Sequence, residues 1–453
     1  MFGKILIANR GEIAVRIIRT CRALGIQTIA VYSEADASCL HARLADEQIC
    51  IGPPISAKSY LNMDNILKAA LETRADAIHP GYGYLAENAR FAEACIQKGL
   101  VFIGPTPLNL QLAGDKITAK KMIAAAGVPV VPSSPGAVAT KEEALAFSDK
   151  IGYPVVIKAV SGGGGRGIRV CNNEEELLED FPVARNEARV AFGDEALYLE
   201  KYILRARHIE VQVLADRFGN TTHLGERDCT IQRRYQKLIE ECPSPRISAE
   251  LRSTLCHAAV RAAQTVGYCN AGTVEFLVDR KGRFYFMELN ARIQVEHPVT
   301  EVVTGVDLIR EQIRVSSGLD LDSGNENMDW RGCAIECRIN AEDPDRNFLP
   351  SPGVIEAYLP PGGVGVRLDT HLYQGYELPI YYDSLAAKLI AYDLRREGAI
   401  RIMKQALEEF TIRPLKTTIP LYIRIMEDPV FQSGDYDTSY VERLLPPGED
   451  EER

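Results

Sequence analysis

The sequence predicts an α/β fold at the N-terminus, followed by regions of mixed α+β type. Apolar positions recur at helical spacing between two apolar strands, and two later strands end in loops rich in Gly and Pro. A strand–helix–strand unit is typical of a parallel, doubly wound sheet, which binds ligands in loops at the carboxyl ends of its strands. The predicted elements are strand 4–8, helix 12–24, and strands 26–33, 75–85 and 100–106. We expect this domain to cover residues 1–112.

The rest of the chain divides at the polar stretch 320–329. Before it we predict helices over 115–126, 141–150, 173–188 and 249–266, strands over 153–160, 167–171, 196–203 and 208–220, and a hairpin over 272–290. After it we predict strands over 333–339 and 353–360 and one clear helix over 396–410. The domains are therefore expected at 113–330 and 331–446, and residues 447–453 form an acidic tail.

The composition is that of an ordinary water-soluble protein. The 453 residues are 46% hydrophobic and 25% charged, and the net charge of −10 argues against nucleic acid or an anionic membrane as a partner. The eleven cysteines are scattered without a CxxC pair, which predicts reduced thiols. No apolar run reaches the ~18 residues that span a bilayer, and the N-terminus does not have the pattern of a signal peptide. We expect a cytoplasmic protein.

The glycine-rich stretch SGGGGRG, residues 161–167, is predicted to contact phosphate. It fits GxGxxG, but a strand follows it where a dinucleotide site needs a helix, and it lacks the GK[ST] of a P-loop. Without Cβ atoms its amides can approach phosphate oxygens closely, although a flexible surface hairpin is the alternative. Lys158 within an apolar strand and Lys116 at a helix start also suggest an anionic ligand, and snorkelling surface lysines are the alternative.

Two carboxylates are predicted to face each other in the hairpin. A two-residue turn at Lys281-Gly282 pairs Glu275 with Glu288, and Asn290 lies on the same face. Two buried like charges are costly unless a cation lies between them, and oxygen ligands suit Mg²⁺ or Mn²⁺. A solvent-facing polar stripe is the alternative.

The same face continues beyond the hairpin if the chain stays extended. Arg292, Gln294 and Glu296 would then follow the metal ligands in one row, an arrangement that suits a small oxyanion held by arginine beside a carboxylate base. Lys237 belongs to a second basic group, and Arg338 shares a strand face with a glutamate. Structural ion pairs are the alternative for each cation.

Taken together, these motifs resemble the biotin carboxylase family of ATP-grasp enzymes. The resemblance covers residues 1 to 445 and is specific, because nine motifs occur in the family's order: IANRGEIAVRI, HPGYGYLAENA, KAVSGGGGRGI, EKYI, RHIEVQVLAD, GERDCTIQRR, ELNARIQVEHPVTE, ECRINAEDP and YYDSLAAKLI. It is nearest to the free-standing subunit form, and the acetyl-CoA carboxylase type, which serves fatty acid biosynthesis, is favoured. The sequence lacks the Met-Lys-Met biotin-attachment tripeptide, so biotin is expected as a carrier-bound substrate.

The resemblance implies a Rossmann-like N-terminal domain, an ATP-grasp core with a mobile lid at about 131–203, and a β-rich C-terminal domain. It implies that the ATP-binding residues are Lys116, Lys158, Gly163, Gly164, Gly165, Arg166, Gly167, Glu200, Lys201, Ile203, His208 and Gln232. It implies Mg²⁺ or Mn²⁺ at Glu275, Glu288 and Asn290, bicarbonate at Arg292, Gln294 and Val295, Glu296 as the base, Arg338 at the biotin oxygen, and Lys237 and Tyr82 near the biotin ring.

The implied activity is ATP-dependent carboxylation of biotin on a carrier protein through carboxyphosphate. A biotin carboxyl carrier protein, carboxyltransferase subunits and a second copy of the chain are the implied partners. Three positions depart from the family pattern, namely Ala23, Tyr235 and Ala291. Ala23 removes an acid that pairs across the family's dimer, and Tyr235 replaces a histidine with a group that is neutral at pH 7.

Two other functions fit parts of the pattern. Another ATP-grasp ligase would keep the glycine loop and the paired carboxylates, but RIQVEH together with ECRINAEDP is not expected in it. A non-catalytic nucleotide-binding subunit predicts loss of at least one charged site residue, yet all are present. The final acceptor, whether acetyl-CoA, propionyl-CoA, pyruvate or another 2-oxo acid, is expected to be selected by a separate carboxyltransferase.

Overall fold

The computed structural model describes residues 1–160, 168–321 and 330–445. Residues 4–102 contain a five-stranded parallel sheet with the order β3-β2-β1-β4-β5. Its strands are β1 (Lys4–Ile7), β2 (Gln27–Tyr32), β3 (Glu47–Cys50), β4 (Ala77–His79) and β5 (Val101–Phe102). Its helices are α1 (Gly11–Ala23), α2 (Leu40–Leu44), α3 (Met63–Glu72) and α4 (Ala89–Gln97). The predicted parallel sheet is confirmed.

The next segment connects this sheet to a small antiparallel one. Helices α5 (Pro107–Gly114), α6 (Lys116–Ala125) and α7 (Lys141–Ile151) precede it. The sheet has the order β7-β6-β8 and consists of β6 (Val155–Ala159), β7 (Arg169–Cys171) and β8 (Leu197–Lys201), with α8 (Glu174–Phe192) packed on it. The glycine stretch that joins β6 to β7, with the predicted contacts Gly163, Gly164, Gly165, Arg166 and Gly167, lies outside the described residues.

A third sheet, of eight strands, extends from the central region into the C-terminal one, in the order β13-β12-β9-β10-β11-β14-β21-β19, where β19 is Val366–Thr370 and β21 is Leu385–Asp393. Its central strands are β9 (Arg207–Ala215), β10 (Thr221–Arg233), β11 (Gln236–Cys242), β12 (Asn270–Val278) and β13 (Phe284–Asn290), and helices α9 (Ala249–Thr265), α10 (His297–Thr304) and α11 (Leu308–Ser316) belong to this region. Because β11 pairs with β14 (Cys333–Asn340), the sheet continues across the predicted boundary near residue 330.

The C-terminal region adds two long strands and several short ones. They are β15 (Glu342–Asp343), β16 (Leu349–Pro350), β17 (Gly353–Val354), β18 (Ala357–Leu359), β19 (Val366–Thr370), β20 (Glu377–Leu378), β21 (Leu385–Asp393) and β22 (Thr411–Arg413). The helices are α12 (Arg396–Glu409), α13 (Ile419–Glu427), α14 (Pro429–Ser433) and α15 (Tyr440–Leu444). The sequence predicted only α12, because the other three are short and two of them have five residues. Within the described residues, no helix is long and apolar enough to cross a membrane.

The hairpin of β12 and β13 has the predicted pairing of Glu275 with Glu288, but its register near the turn differs from the prediction. Val278 pairs with Phe284, which is one residue out of the register that a two-residue turn would give. A β-bulge then shifts the register between Phe276 and Glu275, so that Glu275 does pair with Glu288. The bulge leaves Met287 without a cross-strand partner and restores the facing of the two carboxylates.

The prediction that the chain stays extended from Glu288 to Glu296 is wrong. The strand β13 ends at Asn290, the chain bends at Arg292, and Glu296 is the residue before α10. Pro298 at the start of that helix favours the helical turn, because its ring fixes φ and it has no amide hydrogen to leave unpaired. The side chains still gather at one place, as described below.

Candidate functional site

One cavity of about 1290 Å³ contains nearly all the described residues that the sequence singled out. Sixteen of them line it: Tyr82, Lys116, Lys158, Glu200, Lys201, Ile203, His208, Gln232, Lys237, Glu275, Glu288, Asn290, Arg292, Gln294, Val295 and Arg338. Glu296 is the exception. It is 0% exposed and lies behind Lys237 and Arg338, which bond to it and stand on the cavity wall.

We use the name lysine end for Lys116, Lys158, Glu200 and Glu288, which line one part of the cavity, together with Lys120, which is buried beside them. Lys116 begins α6, and its Nζ lies 2.8 Å from Glu288 Oε2. Lys158 donates to Glu200 Oε2 at 2.6 Å, and Lys120 bonds to the other oxygen of the same carboxylate. Three lysines therefore share two carboxylates, so the lysine end has an excess of positive charge.

Burial has different consequences for these lysines. It lowers the pKa of Lys158 to about 8, helped by the nearby charge of Lys116. It also lowers the pKa of Lys120 well below its usual value, and the charge of Lys158 adds to the effect. Glu288 raises the pKa of Lys116 against the effect of burial. An arriving polyanion would relieve the repulsion among the three ammonium groups, which favours phosphate at this end.

The predicted metal ligands contact both groups of cations, because Glu288 bonds to Lys116 and Glu275 bonds to Lys237. Glu275 is buried, and its Oε1 accepts from Asn290 Nδ2 at 2.8 Å and from Lys237 at 3.0 Å. Its Oε2 lies 2.9 Å from His208 Nε2. Burial raises the pKa of Glu275, but Lys237 and His208 outweigh burial and leave the pKa well below its usual value. Both facing carboxylates are thus held ionised, because Lys116 likewise lowers the pKa of Glu288.

These residues fit a hard divalent cation. Two ionised carboxylates and an amide oxygen on facing strands are the oxygen donors that Mg²⁺ and Mn²⁺ prefer. Of the described residues, His208 and Glu210 form a second possible ligand group with Glu275, with donor atoms within 4.8 Å of one another. Lys237 already bonds to Glu210 and Glu275, so the negative charge of that group is compensated without a metal.

The predicted oxyanion contacts also come together. Arg292 Nη1 donates to Gln294 Oε1 at 2.7 Å, and Arg292 Nε donates to Glu87 Oε2 at 3.0 Å. The backbone carbonyl of Val295 accepts from Lys388 at 2.8 Å. Burial lowers the pKa of Arg292, but Glu87 outweighs burial, so the guanidinium stays charged and can hold an anion.

We use the name carboxylate end for Glu210, Glu240, Glu275, Glu296 and Glu336 with the cations Arg227, Lys237 and Arg338. Glu296 accepts from Lys237 at 2.6 Å and from Arg338 Nη2 at 2.8 Å. Lys237 also donates to Glu210 at 2.7 Å. Burial raises the pKa of Glu296, but Lys237, Arg338 and Arg227 outweigh it and hold the pKa well below its usual value. Here carboxylates outnumber cations.

The remaining predicted residues occupy other parts of the wall. Tyr82, from the loop after β4, bonds through its hydroxyl to Glu12 of α1, and burial raises its pKa well above the usual value. Lys201 donates to the carbonyls of Gly152 and Tyr153 at 2.9 and 2.8 Å. The side chain of Glu200 bonds to Lys120 and Lys158, so any contact between Glu200 and the nucleobase of ATP would use the backbone of Glu200.

The sequence reasoning missed several charged residues that bond directly to the predicted ones. Lys120 lies four residues after Lys116 on α6, and that spacing alone could have indicated a shared helix face. Glu87 lies within the quoted motif HPGYGYLAENA, but nothing in the spacing links it to Arg292. Glu240 bonds to Arg338 from a neighbouring strand, which only the pairing of β11 with β14 reveals.

Family models match the chain in three consecutive parts. Residues 1–110 match the biotin carboxylase N-terminal domain, residues 115–324 match the ATP-binding domain of the carbamoyl-phosphate synthase L chain, and residues 336–443 match the biotin carboxylase C-terminal domain. The three matches follow one another along almost the whole sequence.

Similar proteins agree with these matches. The chain is 56% identical to biotin carboxylase 1 of Bacillus subtilis over 443 residues, 98% of each chain. It is similar to a solved biotin carboxylase–β,γ-ATP complex from Campylobacter jejuni, with TM-score 0.96, 49% identity, and 98% and 99% of the two chains covered.

A second solved structure is the biotin carboxylase domain dimer of Hydrogenobacter thermophilus 2-oxoglutarate carboxylase, in complex with MgADP, ADP and bicarbonate. Its TM-score is 0.95 at 51% identity, with 99% and 100% of the two chains covered. The family models and the relatives agree over nearly the full length. The chain belongs to the biotin carboxylase family of ATP-grasp ligases.

Proposed function

We propose that this enzyme uses ATP and bicarbonate to carboxylate biotin on a carrier protein, and that the residues gathered in its cavity have the roles given below. The observation that carries the proposal is that one cavity joins the lysine end to Arg292, Gln294 and Arg338, with Glu296 directly behind them. A phosphate donor, a small oxyanion and a carboxylate base are what the reaction requires side by side.

The lysine end binds the phosphates of ATP. Lys116 and Lys158 point their charges at the cavity, and each now bonds to a carboxylate that a phosphate can replace as partner. Glu275, Glu288 and Asn290 would hold Mg²⁺, which supplies neutralisation of charge on the phosphate oxygens when bound. Lys201, Ile203, His208 and Gln232 line the wall where the nucleoside is expected. The glycine stretch is proposed to cover the phosphates as a lid.

Bicarbonate lies against Arg292, Gln294 and the backbone of Val295. Glu296 accepts its proton, and the resulting oxygen attacks the γ-phosphorus of ATP, which yields carboxyphosphate and ADP. Lys237 and Arg338 both donate hydrogen bonds to Glu296, so these bonds must weaken before Glu296 can accept a proton. Exclusion of water matters at this stage, because water hydrolyses carboxyphosphate.

Biotin takes the position beside Arg338, Tyr82 and Lys237. Carboxyphosphate breaks into CO₂ and phosphate, and the phosphate removes the proton from biotin N1. Arg338 stabilises the negative charge that develops on the ureido oxygen, and N1 then bonds to CO₂. Arg338 is suited to this role, since burial lowers its pKa but Glu240 and Glu296 outweigh burial and keep it charged.

We further propose the partners and the organisation of the chain. The domains are those predicted at 1–112, 113–330 and 331–446, and the enzyme is a cytoplasmic homodimer that serves a biotin carboxyl carrier protein and carboxyltransferase subunits. Acetyl-CoA is the proposed final acceptor. Pyruvate, propionyl-CoA and 2-oxo acids are the alternatives, and the similarity to a 2-oxoglutarate carboxylase supports keeping them. Copurification of the chain with its carboxyltransferase identifies the acceptor.

The activity is tested by measuring ATP hydrolysis with and without bicarbonate and with and without free biotin. We expect hydrolysis to depend on bicarbonate and to increase when biotin is added. A folded protein whose bicarbonate-dependent hydrolysis does not respond to biotin would contradict the proposal. A rate of ATP hydrolysis that does not depend on bicarbonate would instead indicate a different ATP-grasp ligase.

A further inference from the structure

Two buried carboxylates hold Arg338 at the same time. Its Nε donates to Glu240 Oε1 at 2.6 Å, and its Nη2 lies 2.5 Å from that oxygen. The same Nη2 donates to Glu296 Oε2 at 2.8 Å. Both carboxylates are 0% exposed, so water does not screen either contact. The guanidinium that is proposed to bind biotin is therefore shared between the proposed base and Glu240, which does not line the cavity.

The carboxyl group of Glu240 also has the carboxyl group of Glu336 as a neighbour. It pairs in register with Glu336 across β11 and β14, so both side chains lie on one face of the sheet about 5 Å apart at Cβ. Glu336 is also 0% exposed, and neither of its oxygens nor Glu240 Oε2 has a hydrogen-bond partner among the described residues. Two such carboxylates cannot both be ionised at low cost, so one of them carries a proton at neutral pH.

The contacts indicate that this proton is on Glu336, because Glu240 accepts from Arg338 whereas neither oxygen of Glu336 has a hydrogen-bond partner among the described residues. Burial raises the pKa of Glu336 well above its usual value, and the charge of Glu240 adds to the effect, although Lys388 opposes it. Burial raises the pKa of Glu240 only to about 7, because Arg338 opposes it while Glu296 adds to it. Glu240 is thus the member of the pair that is ionised above neutral pH.

The other charged groups around the pair already have partners. Lys388 on β21 lies 3.1 Å from Glu12 and donates to the carbonyl of Val295. Lys237 on β11 bonds to Glu210, Glu275 and Glu296. Tyr422 on α13 donates to the backbone carbonyl of Arg338. Within the described chain, Arg338 is the cation that bonds to Glu240.

We propose that Glu240 is a positioning residue that competes with Glu296 for the guanidinium of Arg338. By taking part of that contact, it keeps Glu296 basic enough to accept a proton and leaves Arg338 able to reach the biotin oxygen. Without the charge of Glu240, Arg338 would pair with Glu296 alone. The inference rests on the proposed function, since it assigns a role through Arg338 and Glu296.

The test is Glu240→Gln, which keeps the size of the side chain and removes its charge. We expect kcat of biotin-stimulated ATP hydrolysis to fall about tenfold and KM for biotin to rise about tenfold, with KM for ATP unchanged. Glu240 loses its charge as the pH falls through its pKa of about 7, so the wild type should lose kcat on an acidic limb near that pH, and Glu240→Gln, which has no charge to lose, should not show that limb. A merely structural role would leave that limb in place.

Two matched variants serve as controls. Glu241→Gln makes the same change one residue along β11, where the carboxylate bonds to Arg396 instead, and should leave kcat and the pH profile as in the wild type. Glu336→Gln replaces a carboxyl that is already neutral and should change kcat less than about twofold. Glu240→Asp, which withdraws the carboxylate from Arg338, carries the same test if the glutamine variant does not fold.

The inference fails if Glu240→Gln matches the wild type in kcat, in KM for biotin and in the pH of its acidic limb. It also fails if Glu336→Gln loses as much activity as Glu240→Gln, because the required charge would then not belong to Glu240. The wild type separates this inference from the proposed function. If wild-type hydrolysis does not respond to biotin, the proposed function itself is wrong.

Discussion

The lysine end and the carboxylate end, most of which lies behind the cavity wall, are both networks of buried charge, but opposite signs are in excess. At the lysine end three ammonium groups share Glu200 and Glu288, and burial lowers the pKa of Lys120 and Lys158. At the carboxylate end four glutamates share three cations, and the fifth, Glu336, has no hydrogen-bond partner among the described residues. Burial raises the pKa of Glu240 and Glu336.

The difference indicates which charge would stabilise each end. The lysine end would be stabilised by an anion, which fits the phosphates of a nucleotide. The carboxylate end would be stabilised by added protons or cations, which fits a site that accepts a proton from its substrate. An enzyme that transfers a phosphoryl group to a small oxyanion needs both, and either end can be altered by substitution while the other stays unchanged.

The largest expected effect belongs to the carboxylate end. Glu296→Gln removes the proposed proton acceptor, so kcat of bicarbonate-dependent ATP hydrolysis should fall by about 10²–10⁴-fold. The lysine end is untouched, and the affinity for ATP, measured by calorimetry, should stay within about twofold. If more than about a tenth of the turnover survives, Glu296 is not the general base.

At the lysine end, Glu200→Gln should cost stability. Glu200 is 1% exposed and bonds to both Lys120 and Lys158, so its loss leaves one buried and one half-buried ammonium group without their shared carboxylate. Breaking a buried pair in this way costs about 3–5 kcal/mol, measured by denaturant unfolding. Saturating ATP should restore part of the loss by replacing the missing negative charge. A variant as stable as the wild type would contradict this account of the lysine end.

The pH dependence of ATP binding tests whether Lys158, at the lysine end, contributes a positive charge to that binding. The pKa of Lys158 is lowered from its usual value to about 8, so its positive charge is present below pH 8 and is lost as the pH rises through that value. The Kd for ATP should therefore increase above pH 8, by up to about tenfold per pH unit. Lys158→Arg keeps its charge and should remove this dependence. A Kd that is flat from pH 7 to 9 in the wild type would show that Lys158 stays charged.

The smallest expected effect is that of Tyr82→Phe. The hydroxyl of Tyr82 bonds to Glu12 on the wall of the cavity, and Glu12 is a member of neither charge network. Its loss should raise KM for biotin by about threefold, in line with one neutral hydrogen bond, and should leave KM for ATP unchanged. A loss of more than about 100-fold in kcat would mean that Tyr82 takes part in the chemistry.

The sequence predicted the parts of the molecule that depend on local periodicity. The parallel N-terminal sheet and the helix α6 that presents Lys116 follow from apolar spacing, and the structure has both. The facing of Glu275 and Glu288 was also predicted, but the turn it was derived from is out of register, and a bulge at Met287 compensates for the difference. Bulges follow no simple residue pattern, so the compensation could not be foreseen.

The rest of the site depends on contacts between residues far apart in the chain. The partners of Arg338 come from two segments, Glu240 on β11 and Glu296 before α10, and no spacing links them. The bend at Arg292 was missed for a related reason: extended spacing predicted one row of side chains, whereas the turn into α10 puts Glu296 behind the wall. Tertiary pairing, which local patterns do not encode, decides both features.

The central claim is tested most directly by following labelled bicarbonate. The wild-type enzyme is incubated with ATP, Mg²⁺, biotin and ¹⁴C-bicarbonate, and acid-labile label on biotin is counted, with Glu296→Gln as the control. We predict label on biotin in proportion to the ADP released, and at least about 100-fold less label with the variant. Release of ADP by the wild type without any label on biotin would contradict the account.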